Sequence, residues 1–248
     1  MAQSAAPHIA TNGLVFYIDA GNPLSYPGSG TTVYDLSVKG HNASLLGSTS
    51  WNSAGYFQIR YTTADCILAT FNENVLQGGT NSPANGTYQA DVNGSWTLEA
   101  FWQNISAPNS SEAFIIGRAG CHGGIYTFQN GSNTDLYHAI KTNSCWTGAV
   151  NTFLTTLVPN QMCHSIMTYS NGKIKSYVNG SYVTTSTLDY ATYGINPYNS
   201  NLFIGGFNNS TYYSNNCNIY IARVYNRDLT AAEVAINYAA HKGRLGLP

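Results

Sequence analysis

Asn218-Ile219-Tyr220-Ile221-Ala222-Arg223-Val224-Tyr225 runs directly into Asn226-Arg227-Asp228-Leu229-Thr230-Ala231-Ala232-Glu233-Val234, and between the two the chain changes period. The first eight residues alternate as a strand does, with Ile219, Ile221, Arg223 and Tyr225 on one face and Tyr220, Ala222 and Val224 on the other. Both faces are largely apolar, so this strand belongs inside a sheet with cover on each side. Thr230 and Glu233 then have capping-box spacing, in which each side chain satisfies an otherwise unbonded backbone N–H at a helix start. Leu229 and Val234 have the spacing of a hydrophobic staple across that cap. The pattern predicts a helix over Ala231–Lys242, with Val234, Tyr238 and His241 along one side and Gly243 as the stop.

Upstream, the chain reads as strands and turns. Met1–Thr11, with Pro7 and small residues, reads as a flexible arm, and residues 12–248 read as a single domain. Leu14–Asp19 is the first strand, Val33–Leu36 and Asn42–Leu46 are short ones, and Tyr56–Tyr61 follows. Asn72–Asn93 carries Gly, Asn and Pro with little apolar periodicity and reads as a long insertion loop. Trp96, Leu98, Ala100 and Trp102 alternate with Thr97, Glu99, Phe101 and Gln103, which gives a strand with one face in the core. Phe114–Arg118 comes next. Ile125–Gln129 and Asp135–Lys141 form a hairpin around Asn130-Gly131-Ser132-Asn133, with Gln129 facing Leu136. Phe153–Leu157 is a further strand, and Cys163–Tyr169, Lys173–Val178 and Ser181–Ser186 make a meander. Its turns are Asn171-Gly172 and Asn179-Gly180, the pair that best accepts the positive φ angles of a type I′ turn. Leu202–Gly205 lies between two aromatic-rich loops, 190–200 and 208–216.

These segments carry a resemblance. Val224 to Val234 resembles the closing segment of laminin-G-like domains, which belong to the concanavalin A-like jelly rolls. Gly13-Leu14-Val15-Phe16-Tyr17-Ile18-Asp19-Ala20-Gly21-Asn22-Pro23 and Ser25-Tyr26-Pro27-Gly28-Ser29-Gly30-Thr31-Thr32 resemble the start of such domains in tailed-phage virion proteins. Ser95–Trp102 and Lys175-Ser176-Tyr177-Val178-Asn179-Gly180 match in order between them. The resemblance implies an all-β, two-sheet antiparallel jelly-roll sandwich with one short C-terminal helix. It is weak for function, because this fold carries adhesins, lectins, enzymes and scaffolds alike. Calcium is implied by the resemblance alone. Tyr56–Tyr61 lacks the acidic residues that in many relatives lie beside a bound calcium ion, so no metal ligands are assigned.

Composition narrows the classes. Of 248 residues 43% are hydrophobic, ample for a core, and only 8% are charged, against about a quarter in ordinary globular chains. Net charge is −1 with no basic run, which argues against nucleic acid and anionic membranes as partners. The N-terminus shows neither a basic nor an apolar leader segment, so no signal peptide is read. A virion protein made in the host cytoplasm and later exposed on the virion surface fits that reading.

Candidate chemistry is sparse. No two of the 11 acidic residues lie within four positions of each other, so the strand-borne acid pair of glycan hydrolases is missing. There is no nucleophile elbow and no phosphate loop. Cys121-His122 and Cys163-His164 are adjacent pairs, which on a strand point to opposite faces and cannot share a metal ion. Five cysteines leave at least one unpaired within the chain. The hairpin register places Cys121 within one position of opposite Cys145, where a cross-strand disulfide is expected. From the resemblance, the closing strand runs antiparallel to Tyr56–Tyr61, which sets Cys217 opposite Cys66, pairs Val224 with Ile59 and leaves Cys163 free. Five reduced thiols are the alternative. Tyr193, Tyr198, Asn199, Tyr212 and Tyr213 combine aromatic faces with amides in loops, the pairing that sugar sites and protein interfaces both use.

The expectation is therefore a non-enzymatic virion surface component, such as a capsid decoration or fibre tip. It would bind other virion proteins and copies of itself, as a trimer by the resemblance, and host-surface glycans as well. A stand-alone lectin is the alternative, and a glycoside hydrolase or lyase ranks third.

Overall fold

The computed structural model of the chain describes residues 8–60, 64–71, 95–108, 113–118, 124–140, 150–187, 201–206 and 215–248. Sixteen strands and one helix are formed by them. β7 (Ser95–Asn104) and β16 (Cys217–Tyr225) lie side by side at the centre of the first sheet. The alternation of β7 is as expected: Trp96, Leu98, Ala100 and Trp102 enter the core between the sheets. β16 follows its expected alternation only in part. Its register against β7 slips between Ile219 and Ile221, leaving Tyr220 as the extra residue of a bulge. Cys217, Ile219, Ala222 and Val224 therefore face the core, while Ile221 and Tyr225 join clusters on the outer side. A strict period of two cannot anticipate that switch of face.

The first sheet runs in the order β14 (Ser181–Thr187), β13 (Lys173–Val178), β12 (Met162–Ser170), β7, β16, β5 (Tyr56–Ile59), β4 (Ser50–Asn52). β1 (Leu14–Asp19) pairs with β16 along Ile221–Tyr225, and β5 takes Cys217–Ile219. The second sheet runs β11 (Val150–Leu157), β10 (Asn133–Ile140), β9 (Gly124–Asn130), β8 (Ala113–Arg118), β15 (Asn201–Ile204), β6 (Cys66–Thr70), β3 (Ala43–Leu46), β2 (Thr32–Val33). Every described pairing is antiparallel, and one apolar core fills the space between the sheets. This is the expected jelly-roll sandwich. β4 and β6 were not anticipated. β4 is only three residues long, and Cys66-Ile67-Leu68-Ala69 is apolar throughout, so it shows no alternation to read.

Turn chemistry holds where it was legible. Asn171-Gly172 and Asn179-Gly180 both have positive φ at both residues, the type I′ signature. The β9–β10 hairpin is tighter than expected: pairing continues to Asn130–Asn133, so Gln129 faces Thr134 rather than Leu136.

The closing helix α1 (Ala231–Leu245) starts at the expected capping box and runs three residues beyond the expected end. Gly243 stays helical, and Gly246, at φ 64°, takes the left-handed cap position instead. α1 covers the outer face of the first sheet through Val234, Asn237 and His241. Of the expected arm, residues 1–7 lie outside the described set. Ala10 is buried, its N–H bonded to Asn237 Oδ1 at 2.8 Å and its carbonyl accepting from the Tyr225 hydroxyl at 3.1 Å.

The expected Cys66–Cys217 pairing is corrected. Cys217 lies opposite Ile59, because β5 engages only the first three residues of β16 and β1 occupies the rest of that edge. Cys66 belongs to the other sheet and clusters with Phe203, away from the core that Cys217 enters. Both are free buried thiols, as is Cys163. Cys121 and Cys145 lie outside the described residues.

Candidate functional site

The loop residues that the sequence singled out, Tyr193, Tyr198, Asn199, Tyr212 and Tyr213, all lie outside the described residues. Among the described residues no group of three or more His, Cys, Asp or Glu side chains is placed to hold a metal ion. The segment where the resemblance would place calcium-binding acids offers Tyr56, Phe57, Gln58 and Ile59, with Phe57 and Ile59 buried. It does not fit a hard cation that takes oxygen ligands.

Two other constellations emerge. The first is a buried polar network between the first sheet and α1. Glu99 of β7 and Arg223 of β16 are register partners on the outer face, 3.2 Å apart from Nη1 to Oε2. His164 of β12 lies 2.9 Å from the other Glu99 oxygen, and Asn237 of α1 donates to Oε2 at 2.9 Å. Arg223 also donates to Nε2 of His241 and stands 4.4 Å over the Tyr17 ring. Desolvation alone would raise the Glu99 pKa, but the Arg223 charge and the His164 contact outweigh it and hold the carboxyl at about 2. Burial pushes His241 down to about 3, helped by the charge of Arg223, and it also lowers His164 against the pull of Glu99. Both imidazoles are thus neutral in the fold, and His164 holds Glu99 by a hydrogen bond from Nε2–H rather than by an ion pair. A Glu–His pair has the chemistry of a general acid and base, yet all of Glu99, His164 and Arg223 is sealed from solvent beneath α1. No substrate reaches it. Its work is to clamp the helix, and through Asn237 also Ala10, onto the sheet.

The second constellation lies on the outer face of the second sheet. Alternate residues of β9, β10 and β11 place Phe128, Tyr137 and Phe153 side by side across three strands. Phe128 and Tyr137 have ring centroids 4.7 Å apart, and Tyr137 and Phe153 are 5.5 Å apart. Phe128 and Tyr137 are partly exposed, and Phe153 is 50% exposed, the outermost of the three. Beside this row sits Asp135, two residues from Tyr137 and directly opposite Phe128. Its Oδ1 accepts from Thr156 Oγ1 at 2.6 Å and from Asn130 Nδ2 at 3.1 Å. Toward the sheet centre Phe114 and Tyr126 continue the aromatic face but are buried. Neighbouring rings meet edge to face, at 70° and 62°, so the row is a ridged apolar surface rather than one flat platform. Apolar ring surface with an oriented acceptor at its side supplies the two elements that saccharide binding uses. Sequence reading missed it. The period-two placement of Phe128, Asp135, Tyr137 and Phe153 was available, but only the pairing of three separate strands brings these residues together.

Fold and site define a lectin-like β-sandwich. A family profile described as the concanavalin A-like lectin/glucanases superfamily matches residues 77–235, well over half of the sequence. The chain belongs to that superfamily. No curated protein matches the sequence. Among solved structures it is similar to the binding domain of botulinum neurotoxin serotype D/C, with a TM-score of 0.61 and 17% identity over 92% of this chain and 52% of that one. A structure of botulinum neurotoxin type C, whose cell entry is described as dependent on interaction with two ganglioside molecules, gives 0.62 and 19% over 92% and 51%. Trypanosoma rangeli sialidase in complex with sialic acid gives 0.63 and 14% over 94% and 33%. The chain therefore spans about half of the toxin domains and a third of the sialidase, and at these identities the likeness is one of fold.

Proposed function

We propose that this chain is a non-enzymatic contact module of a virion surface that holds glycans without turning them over. The observation that carries the binding reading is the partly exposed row Phe128–Tyr137–Phe153 with Asp135 oriented beside it. Stacking on such rings plus hydrogen bonds to a fixed acceptor is a sugar-binding chemistry that needs no charge on the ligand. Two observations favour binding over hydrolysis. The buried acid–base pair, Glu99 and His164, is closed off by α1. On the open face of β9, β10 and β11, Asp135 stands as a single carboxylate, whereas glycoside hydrolysis uses two, about 5–10 Å apart. Display on a virion rests on the resemblance to phage virion domains. In that setting the part of the arm that precedes the docked Ala10, and the loop 72–93, serve assembly with other virion proteins and with copies of this chain. Tyr193, Tyr198, Asn199, Tyr212 and Tyr213 then extend the outward contact.

The test is retention of the purified protein on a glycan array, with a parallel assay for released reducing sugar. Binding without release is expected, with loss of binding in Tyr137→Ala and weaker host attachment in the Tyr212→Ala, Tyr213→Ala double variant. Release of reducing sugar overturns the non-enzymatic reading, and an array with no retained glycan overturns the binding reading.

A further inference from the structure

Resting on the glycan-contact reading, we infer that the aromatic row selects neutral saccharides over sialylated and other acidic ones, and that Asp135 makes the selection. The row crosses three adjacent strands, and strand spacing makes it about 10 Å long, the span of roughly two sugar rings. Asp135 shares its face: it alternates with Tyr137 along β10 and is the register partner of Phe128. Phe128 and Tyr137 meet edge to face, at 70°, so a sugar ring stacks on one of them at a time, and on either it has hydroxyls beside this carboxylate.

The surroundings fix how that carboxylate behaves. Asn130 and Thr156 both donate to it, which orients it, and they leave part of its acceptor capacity for a ligand. The hydroxyls of a neutral sugar supply the missing donors. Asn130 and Thr156 are uncharged, and β9, β10 and β11 contain no Lys or Arg, so nothing on these strands offsets the negative charge. His138, also on β10, points the other way: it is buried and bonded to Ser176 of the opposite sheet. An acidic sugar on the row would set a second anion a few ångströms from Asp135, with no Lys or Arg of β9, β10 or β11 to offset it. Two unit charges at that distance in water repel enough to cost roughly fivefold in affinity, and more where the rings exclude water.

The experiment is an array of matched glycan pairs, each neutral member beside its sialylated counterpart, read for the wild-type chain, Asp135→Asn and Phe153→Ala. The wild type is expected to hold neutral members roughly fivefold or more above their partners. Asp135→Asn keeps an acceptor for Thr156 and is expected to close that gap. Phe153→Ala removes a half-exposed ring and is expected to weaken both members alike. Raising the salt concentration should narrow the wild-type gap without any substitution, which keeps the test open if a variant folds poorly. Equal or better binding of sialylated members by the wild type overturns the selectivity while leaving glycan contact standing. A gap that survives in Asp135→Asn overturns the role of Asp135. No glycan retained at all overturns both readings.

Discussion

Replacing Glu99 by Gln tests what the buried network contributes. The substitution keeps the size of the side chain and an acceptor for Asn237; it removes the charge and turns the other carboxylate oxygen into an NH2 donor, which the neutral His164 ring can meet through its other tautomer. Arg223 is then a fully buried guanidinium whose remaining contacts are neutral: the acceptor nitrogen of His241 and the face of Tyr17. Removing one partner of a buried pair costs about 3–5 kcal/mol, because the other charge stays out of water without compensation. The titration of Glu99 leads to a similar size. A carboxyl held at about 2 instead of its ordinary 4.5 corresponds to about 3 kcal/mol of stability at neutral pH. A domain is stable by about 5–15 kcal/mol in all, so this single change should remove a large part of it. Urea unfolding followed by far- and near-ultraviolet circular dichroism measures the loss. Two comparisons make the result specific. Adding Arg223→Met to Glu99→Gln should recover much of the stability, since an uncharged pair replaces a charge left alone. Glu233→Gln removes an ion pair with Arg227 that is about a quarter exposed, and should cost below about 1 kcal/mol. A Glu99→Gln loss of the same small size, or a double variant no more stable than the single one, would refute the argument.

Three further outcomes follow from other groups. Burial holds His138 and His241 neutral, with pKa values near 3, so the unfolded chain takes up protons below pH 6.5 that the fold refuses. Stability is therefore full above pH 6.5 and falls toward pH 3, by up to about 1.4 kcal/mol per unit for each group, and Glu99 adds its own loss only between pH 4.5 and 2. A urea midpoint that stays level from pH 7 down to 4.5 would contradict this. Gly205→Ala should cost about 2–4 kcal/mol in a thermal or urea melt, from its positive φ and from a Cβ that would sit 2.4 Å from Ile59 Cγ1; a neutral result would mean that the two sheets slide apart easily there. Burial pushes the thiols of Cys66, Cys163 and Cys217 up to about 12, so a thiol reagent at pH 8 should leave these three unmodified until urea unfolds the chain.

Much of the fold was legible because period and punctuation are local properties. The alternation of Trp96–Gln103, the capping box at Thr230 and the two Asn-Gly turns each specify backbone geometry within a few residues. What was not legible depends on partners. The bulge at Tyr220 exists because β16 must serve β7 on one edge and both β5 and β1 on the other, and no pattern within Asn218–Tyr225 encodes that demand. The same bulge undoes the proposed register of Cys217: a strand shared between two neighbours cannot be aligned from one of them. β6 escaped notice because burial on both faces erases the alternation by which a strand is recognised.

The site divides along the same line. In a chain with 8% charged residues, an Arg and a Glu in the middle of apolar strands already signal a buried pair, since a lone charge there would be untenable. That signal was present in Glu99 and Arg223, and what hid it was only the register that joins them. The aromatic row is different in kind. Phe128, Tyr137 and Phe153 would look the same in the sequence whether they faced the core or solvent, because an aromatic residue is at home in either place. Their exposure follows from the inward turn of Leu136, Ile125 and Ile140 on the same strands, which gives the core its fill and leaves the alternate positions outside. The aromatic face is thus a by-product of core packing, and Asp135 is the one carboxylate that β9, β10 and β11 carry. If Asp135 had only a folding role, Thr156 and Asn130 would be its whole explanation; its place between two partly exposed rings is what makes ligand choice the more economical account.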